Sequence, residues 1–124
     1  MSKTRTARRH ELNLYRRYFG LVAAGHKTIE VRVRYPHLAD MAEGDTIRFR
    51  IKGTDETCEV LVKRVTEYPD FEALLDGEGP SRVNPSSTRE QQLANIRSIY
   101  PPEKEALGAL AIEIELLAAE TPAG

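Results

Sequence analysis

The residues best suited to chemistry concentrate in one short segment, Gly25–Arg32, which has the sequence GHKTIEVR. Lys27 lies at the entry of a predicted strand, and Glu30 and Arg32 lie two positions apart, so both project from one face of that strand. Two cations offer donors for an anionic or carbonyl-bearing ligand, and the carboxylate accepts protons or hydrogen bonds. The spacing is also typical of an ordinary polar strand face that neutralises cross-strand neighbours.

Most other catalytic and binding motifs are absent from the sequence. It contains no Walker-type phosphate loop, no dinucleotide-binding glycine motif and no H-E-x-x-H motif. The three histidines are scattered at positions 10, 26 and 37. The single cysteine, Cys58, falls within a predicted strand, where a small core residue is expected. The sequence therefore predicts neither a metal site nor a cofactor.

Length and composition indicate one globular domain. The chain has 124 residues, of which 40% are hydrophobic and 30% are charged. No segment approaches the roughly 18 apolar residues of a membrane helix, and no apolar stretch follows the basic N-terminus as it does in a secretory signal. A lone cysteine fits a reducing compartment. We therefore expect a cytoplasmic protein that is monomeric by default and has no membrane partner.

Charge is distributed unevenly along the chain. Residues 1–34 contain nine basic residues (Lys or Arg) and two acidic residues. Residues 35–124 contain nine basic and seventeen acidic residues, and the net charge of the chain is −1. This asymmetry indicates a local anion-attracting patch rather than a wholly basic surface for nucleic acid. The alternative is that the basic residues before His10 belong to a flexible, solvated tail over residues 1–9.

Three predicted elements position the segment that contains Lys27. Alternating leucines predict a strand over 10–14. Apolar residues at helical spacing predict a helix over 15–24, which Gly25 ends in the left-handed conformation. Alternating aliphatic residues then predict a strand over 28–34. The tyrosines of the helix are expected in its core-facing stripe rather than as base-stacking platforms.

The rest of the chain predicts a hairpin, two helices and a last strand. The predicted elements are strands over 46–52 and 56–65, a helix over 70–76, a loop over 77–87, a helix from a capping box at Ser87 and Glu90 to Ile99, a helical turn over 102–107 and a strand over 110–116. This order lacks the regular β–α alternation of a nucleotide-binding parallel sheet. It predicts an α+β fold in which helices lie at the ends of a small mixed or closed sheet.

Four segments of the sequence resemble those of one known family, the ASCH domains of the PUA-like superfamily. They are HELNL at 10–14, YFGLVAAGHKTIEVR at 18–32, EGDTIRF at 43–49 and IYPPEKEALGALAIEIEL at 99–116. The resemblance covers about residues 10–117, and leaves tails over 1–9 and 118–124. It implies a small PUA-like β-barrel of about five to six strands, with two to three helices packed at its ends.

The resemblance also implies a function. It predicts a cleft that binds RNA or a modified nucleoside around the signature lysine of the family, which Lys27 matches. Some relatives are amidohydrolases that deacetylate N4-acetylcytidine through this lysine, and others are described as ribonucleases for single-stranded RNA. The sequence has Glu30 where the amidohydrolases use a threonine. It has no carboxylate near Pro85 and Ser86, where they use a glutamate, and Glu78 and Glu90 are the nearest acids.

The first hypothesis is a binding domain for RNA or a modified nucleoside. Its candidate ligand-binding residues are His10, Lys27, Glu30, Arg32, Arg48 and Arg50. Arg48 and Arg50 alternate with apolar residues and form a cationic strand face. Such a face is either a track for the RNA backbone or a solvated outer surface.

The second hypothesis is a hydrolase with Lys27 as its central residue. Glu30 and Tyr100 are the further catalytic candidates, because cleavage needs groups that accept and donate protons. An attacking lysine needs a pKa lowered towards neutrality by burial or by nearby positive charge. Arg32 would act in that direction, whereas a Lys27–Glu30 pair would keep the amine protonated and suit it to holding a ligand.

Overall fold

Five strands and five helices make up the part of the chain that the structure describes, residues 6–120 of a computed structural model. The strands are β1 (Arg9–Leu14), β2 (Ile29–Val33), β3 (Thr46–Ile51), β4 (Thr57–Tyr68) and β5 (Ala109–Glu120). The helices are α1 (Arg16–Ala23), α2 (Phe71–Glu78), α3 (Pro80–Val83), α4 (Arg89–Ile99) and α5 (Pro102–Glu105), with a 3₁₀ turn at Pro36–Leu38.

The strands form one sheet in the order β1-β3-β4-β5-β2, curled into a half-barrel. β1 runs parallel to β3, and the other neighbours are antiparallel. β4 and β5 have twelve residues each, and their register shifts between Glu59 and Val60 and again between Val62 and Arg64. Such irregularities bend a strand and increase its twist. β1 and β2 remain as the two edges of the curled sheet.

Two apolar clusters cover the two faces of the sheet. The larger cluster joins α1 and the 3₁₀ turn to strands β1, β3, β4 and β5, with Phe49 and Val60 fully buried. The second cluster packs Ile29 and Val33 of β2 against α2, where Phe71 and Leu74 are fully buried. β2 therefore contributes its aliphatic face to one core, as the alternation of its residues predicts.

The α+β class and the elements around Lys27 are confirmed, with boundaries shifted by one or two residues. Asp70 caps α2, as predicted, and accepts from the backbone N–H of Ala73 at 2.8 Å. The predicted capping box is wrong by one residue, because it is formed by Thr88 and Gln91. The structure has more helices than the expected two to three, because the predicted loop over 77–87 contains α3, and the helical turn predicted over 102–107 is confirmed as α5.

Both predicted tails overlap the sheet. β1 begins at Arg9, and β5 reaches Glu120. Residues 1–5, which include the basic residues Lys3 and Arg5, and residues 121–124 lie outside the described residues. No helix between residues 6 and 120 has the length and apolar character needed to cross a membrane.

Candidate functional site

A cavity of about 260 Å³ lies where the two edge strands of the half-barrel approach each other. β1 contributes its last residues, β2 contributes its middle residues, and α4 covers the gap between them. The lining residues are Asn13, Leu14, Tyr15, Tyr18, Lys27, Glu30, Val31, Arg32, Lys52, Val83, Asn84, Gln92, Asn95, Ile96, Ile99 and Tyr100. The incomplete closure of the sheet therefore creates the space that a ligand would occupy.

The turn between α1 and β2 delivers Lys27 to this cavity. Gly25 has a φ of 77°, in the left-handed region that glycine adopts without steric cost. The N–H of His26 donates to the carbonyl of Leu21 at 2.9 Å, and that of Gly25 donates to the carbonyl of Val22 at 3.0 Å. These two bonds form a Schellman motif, which ends the helix and reverses the chain. The lysine follows two residues later, at the entry of β2.

Lys27 is 5% exposed, and its ammonium has three acceptors around it. Nζ donates to the carbonyl oxygens of Ile29 at 2.8 Å and Val83 at 2.9 Å, and lies 3.6 Å from Glu30 Oε1. Burial lowers the pKa of Lys27, and the charge of Glu30 opposes this change. Because all three acceptors favour the protonated amine, Lys27 acts as a fixed cross-link between β2 and α3.

Glu30 joins this lysine to Arg32. The carboxylate is buried, and its Oε2 accepts from Arg32 Nε at 2.8 Å. The guanidinium also donates through Nη2 to the carbonyl oxygen of Asn13 at 2.8 Å. Asn13 belongs to β1 and Arg32 belongs to β2, so this side chain connects the two edges of the sheet across the cavity. The predicted convergence of amine, acid and guanidinium is therefore present in the structure.

Three of the five tyrosines line the cavity. Tyr15 is 51% exposed, and its ring centroid lies 6.4 Å from that of Tyr18. Lys27 Nζ lies 5.8 Å from the Tyr18 ring centroid. Burial raises the pKa of Tyr100, whose phenol interacts with Arg32, so this hydroxyl stays neutral. The expected core role is confirmed in part for Tyr18, which packs against the larger apolar cluster and also lines the cavity, and is wrong for Tyr15, which is exposed at the cavity.

Four amide side chains line the cavity, and none of them was a candidate residue from the sequence. Asn84 follows α3, and Gln92 and Asn95 lie three residues apart on α4, so they share one face of that helix. Gln92 is buried and precedes Ile96 and Ile99 at helical spacing. A polar residue within an apolar helical stripe is a signal that could have identified it. Asn13, at the end of β1, had no comparable signal.

The comparisons with known proteins agree with this architecture. The model of the ASCH domain family matches residues 12–118. The chain belongs to the ASCH domain family. The resemblance stated from the sequence is therefore confirmed, and no curated protein matches the chain significantly.

Several solved structures share this ASCH fold. The crystal structure of hypothetical protein PH0355 has a TM-score of 0.79 and 32% identity, and covers 88% of this chain and 99% of its own. The NMR structure of PF0455 from Pyrococcus furiosus has a TM-score of 0.70 and 32% identity, and covers 88% of this chain and 97% of its own. The ASCH crystal structure from Zymomonas mobilis has a TM-score of 0.64 at 16% identity, and covers 88% of this chain and 68% of its own. These likenesses confirm the α+β, PUA-like fold expected from the sequence.

The other candidate ligand-binding residues of this ASCH domain lie apart from the cavity lining. His10 Nε2 is 2.9 Å from Asp45 Oδ2, which ties β1 to the turn before β3. Arg48 lies near Glu59, with 3.3 Å between Nη2 and Oε1, and Arg50 lies near Asp55. The structure therefore brings together Lys27, Glu30, Arg32 and Tyr100, and leaves His10, Arg48 and Arg50 outside that group.

The two acids nearest the expected catalytic glutamate do not line the cavity. Glu78 accepts from Arg64 at 2.7 and 3.0 Å and from the hydroxyl of Tyr68 at 2.6 Å. Glu90 is exposed in the first turn of α4. The segment before α4 instead contributes the amide of Asn84 to the cavity. Glu30 is the carboxylate that the described residues place there.

Proposed function

We propose that this ASCH domain binds a base of single-stranded RNA, or a modified nucleoside, in the cavity between β1 and β2. The observation that supports the proposal is the combination of tyrosine faces, amides and a fixed charged group in one space of about 260 Å³. Aromatic faces stack on bases, and amide and charged groups form hydrogen bonds to base edges. The cavity is concave and largely preformed, as ligand sites usually are.

The charged residues favour binding over nucleophilic attack. Lys27 donates to two backbone carbonyls and faces Glu30, so a neutral, attacking amine would lose favourable contacts. Arg32 is held by Glu30 and by the backbone of Asn13. A preorganised group of this kind forms hydrogen bonds to a ligand without first having to be ordered.

Lys52 and Tyr15 extend the site towards solvent. Both residues are exposed and line the cavity, and Arg17 lies 4.8 Å from the ring centroid of Tyr18. Cations beside exposed aromatic rings are typical of single-strand binding surfaces, where they follow the phosphate backbone. The mouth of the cavity therefore suits an RNA strand that places one base inside the cavity and keeps its phosphate backbone outside.

A titration of short fluorescent single-stranded RNA at several salt concentrations tests the proposal. We expect binding that weakens as salt increases, because phosphate contacts release counterions. Tyr18→Leu should weaken binding about tenfold through lost stacking, whereas the control Arg50→Gln, outside the cavity, should bind as the wild type does. Loss of binding in Arg50→Gln but not in Tyr18→Leu would place the site on β3 and contradict the proposal.

A hydrolase is the second candidate function, and the burial of Lys27 beside Glu30 within the cavity favours it. Burial lowers the pKa of Lys27 in the direction that an attacking amine requires. The test is incubation with N4-acetylcytidine and with labelled RNA, followed by chromatography of the products. Turnover that Glu30→Gln and Lys27→Met abolish would support this function. Equal turnover by the wild type and both variants would reject it.

A further inference from the structure

A row of aromatic rings leads from the wall of the cavity to the surface beyond the end of β2. Tyr100 lines the cavity, and its ring centroid lies 6.3 Å from that of Tyr35. Tyr35 is half-buried, and its ring stacks on that of His37, with centroids 5.7 Å apart and planes inclined by 12°. These distances are typical of aromatic rings in contact. The aromatic row of Tyr100, Tyr35 and His37 therefore extends the surface of the cavity outwards to an exposed residue.

The outermost residue of the aromatic row is held in place by its surroundings. His37 is the middle residue of the 3₁₀ turn Pro36–Leu38, and Leu38 anchors that turn in the larger apolar cluster. One face of the imidazole lies against Tyr35, although the residue as a whole is exposed. A preformed ring of this kind can stack on a base without first having to be ordered.

Three cations beside the cavity and the aromatic row have no carboxylate partner within residues 6–117. They are Arg17, Lys52 and Lys104, whereas every other lysine or arginine in that range lies within salt-bridge distance of a carboxylate. Arg17 lies over the Tyr18 ring and Lys52 lines the cavity. Lys104 Nζ lies 5.8 Å from the ring centroid of Tyr35. Positive charge that these residues leave uncompensated therefore follows the aromatic surface, where it attracts phosphate.

We infer that His37, supported by Tyr35, is a second stacking site for the base next to the one in the cavity, and that Lys104 contacts the phosphate between the two nucleotides. This inference rests on the proposed function and specifies the ligand as a single strand of at least two nucleotides rather than a free nucleoside. Every base has an aromatic face, so the second site accepts any neighbouring base. The phosphate contact is likewise independent of sequence.

Calorimetric titration with four probes tests the inference. The probes are a ribonucleoside, the dinucleoside monophosphate of the same base, and two forms of the latter in which an abasic ribose replaces one base or the other. Each probe is made once with adenine and once with uracil. We expect the dinucleoside to bind about tenfold more tightly than its abasic forms, because those forms keep the phosphate and lose the second stack.

The outcomes separate the inference from the proposed function. A dinucleoside that binds no more tightly than its abasic forms would overturn the inference, since the second base would then contribute nothing. Binding of the ribonucleoside in that case would leave the proposed function standing. Failure of every probe and of longer single-stranded RNA to bind would overturn both.

Substitution of His37 assigns the second base to the aromatic row. His37→Ser should bind the ribonucleoside as the wild type does, and its gain from the second base should fall to within about twofold. Tyr35 cannot replace the lost ring, because it is half-buried and packs against both apolar clusters. His26→Ser is the matched control, since His26 is exposed and does not line the cavity. Retention of the gain in His37→Ser, or its equal loss in His26→Ser, would contradict the inference.

Substitution of Lys104 tests the phosphate contact separately. Lys104→Gln should weaken the dinucleoside and its abasic forms alike by about threefold, and leave ribonucleoside binding unchanged, because only the former carry a phosphate. Lys63→Gln is the control, since Lys63 is exposed, pairs with Glu115 and lies outside the cavity lining. Equal effects of the two substitutions would contradict the contact assigned to Lys104.

Discussion

Lys27 is a charged residue in a position where lysines are rarely found. Most lysines in proteins are exposed, and those that are buried need partners for the charge. Here the partners are two backbone carbonyls and Glu30, which Arg32 also contacts. The sequence could predict that Lys27, Glu30 and Arg32 would meet, because period two and one glycine turn bring them together. It could not predict the burial, because the carbonyl of Val83 comes from a distant helix.

Replacement of Lys27 by methionine tests this dependence on partners. Lys27→Met should lower the free energy of unfolding by about 3 kcal/mol, because it leaves buried acceptors without a donor and Glu30 with one cation fewer. Urea denaturation measures the change. Lys63→Met is the matched control, since Lys63 is exposed and pairs with Glu115 at 3.1 Å, and it should change stability by less than about 0.5 kcal/mol. Equal effects of the two substitutions would contradict the structural role of Lys27.

Glu78 provides a pH-dependent contact between α2 and β4. Hydrogen bonds from Arg64, with a further one from Tyr68, lower the pKa of Glu78 below its ordinary value of 4.5. A lowered carboxyl pKa contributes stability above the unfolded value, and this stability is lost as the pH falls through the folded value. The wild type should therefore lose stability as the pH falls below about 4.5, in part through this group.

Glu78→Gln isolates that contribution. The variant should be about 1–3 kcal/mol less stable than the wild type at neutral pH, and its stability should fall less steeply in acid. Urea denaturation at a series of pH values gives both quantities. Glu67→Gln is the control, because Glu67 is an exposed carboxylate paired with Arg34. If the free energy of unfolding falls as steeply in acid for Glu78→Gln as for the wild type, other carboxylates control the stability in this pH range.

At the scale of elements, local patterns predicted most of the structure. The alternation in β2 and β3 and the glycine after α1 are local signals, and the elements formed where those signals lie. α3 was missed because a helix of four residues is too short to show a hydrophobic period. Gln92 shares a helical stripe with Ile96 and Ile99, but its partners are the carbonyls of Pro80, Asn84 and Ser87, which no pattern in the sequence reports.

Two glycines of the α1 segment should respond in opposite directions to substitution by alanine. Gly25→Ala places a side chain at a φ of 77° and should cost about 1–2 kcal/mol. Gly20→Ala lies inside α1, where an added Cβ meets no atom within 4 Å, and should gain about 0.5–1 kcal/mol through helix propensity. Urea denaturation of the two variants measures both changes. A neutral effect of Gly25→Ala would contradict the role assigned to the Schellman motif.

At the scale of the whole molecule, the candidate site exists because the sheet does not close. β1 and β2 are the two edges, and each has one strand neighbour. The sequence predicted a small sheet but not which strands would be its edges, because strand order depends on pairings between distant segments. For the same reason it could not show that His10, Arg48 and Arg50 would lie apart from Lys27, or that Asn13 would line the cavity.

Arg32 connects the two edge strands, β1 and β2. Its replacement should therefore loosen β1 more than the rest of the sheet. Arg32→Lys keeps the charge, but a single ammonium cannot reproduce the paired contacts of the guanidinium with Glu30 and the carbonyl of Asn13. We expect about tenfold less hydrogen-exchange protection for the amides of β1, and changes within about twofold in β4 and β5, because local opening reports local contacts.

Arg34→Lys is the control for this experiment, since Arg34 lies just beyond the same strand and pairs with Glu67 on the outside of the sheet at 2.9 Å. It should leave the protection of β1 unchanged. Exchange measured by mass spectrometry on peptides from β1 and β4 resolves the two regions. A uniform loss of protection in Arg32→Lys would mean that the side chain contributes to global stability alone. A loss confined to β1 would show that one guanidinium holds the edges of the half-barrel together beside the cavity.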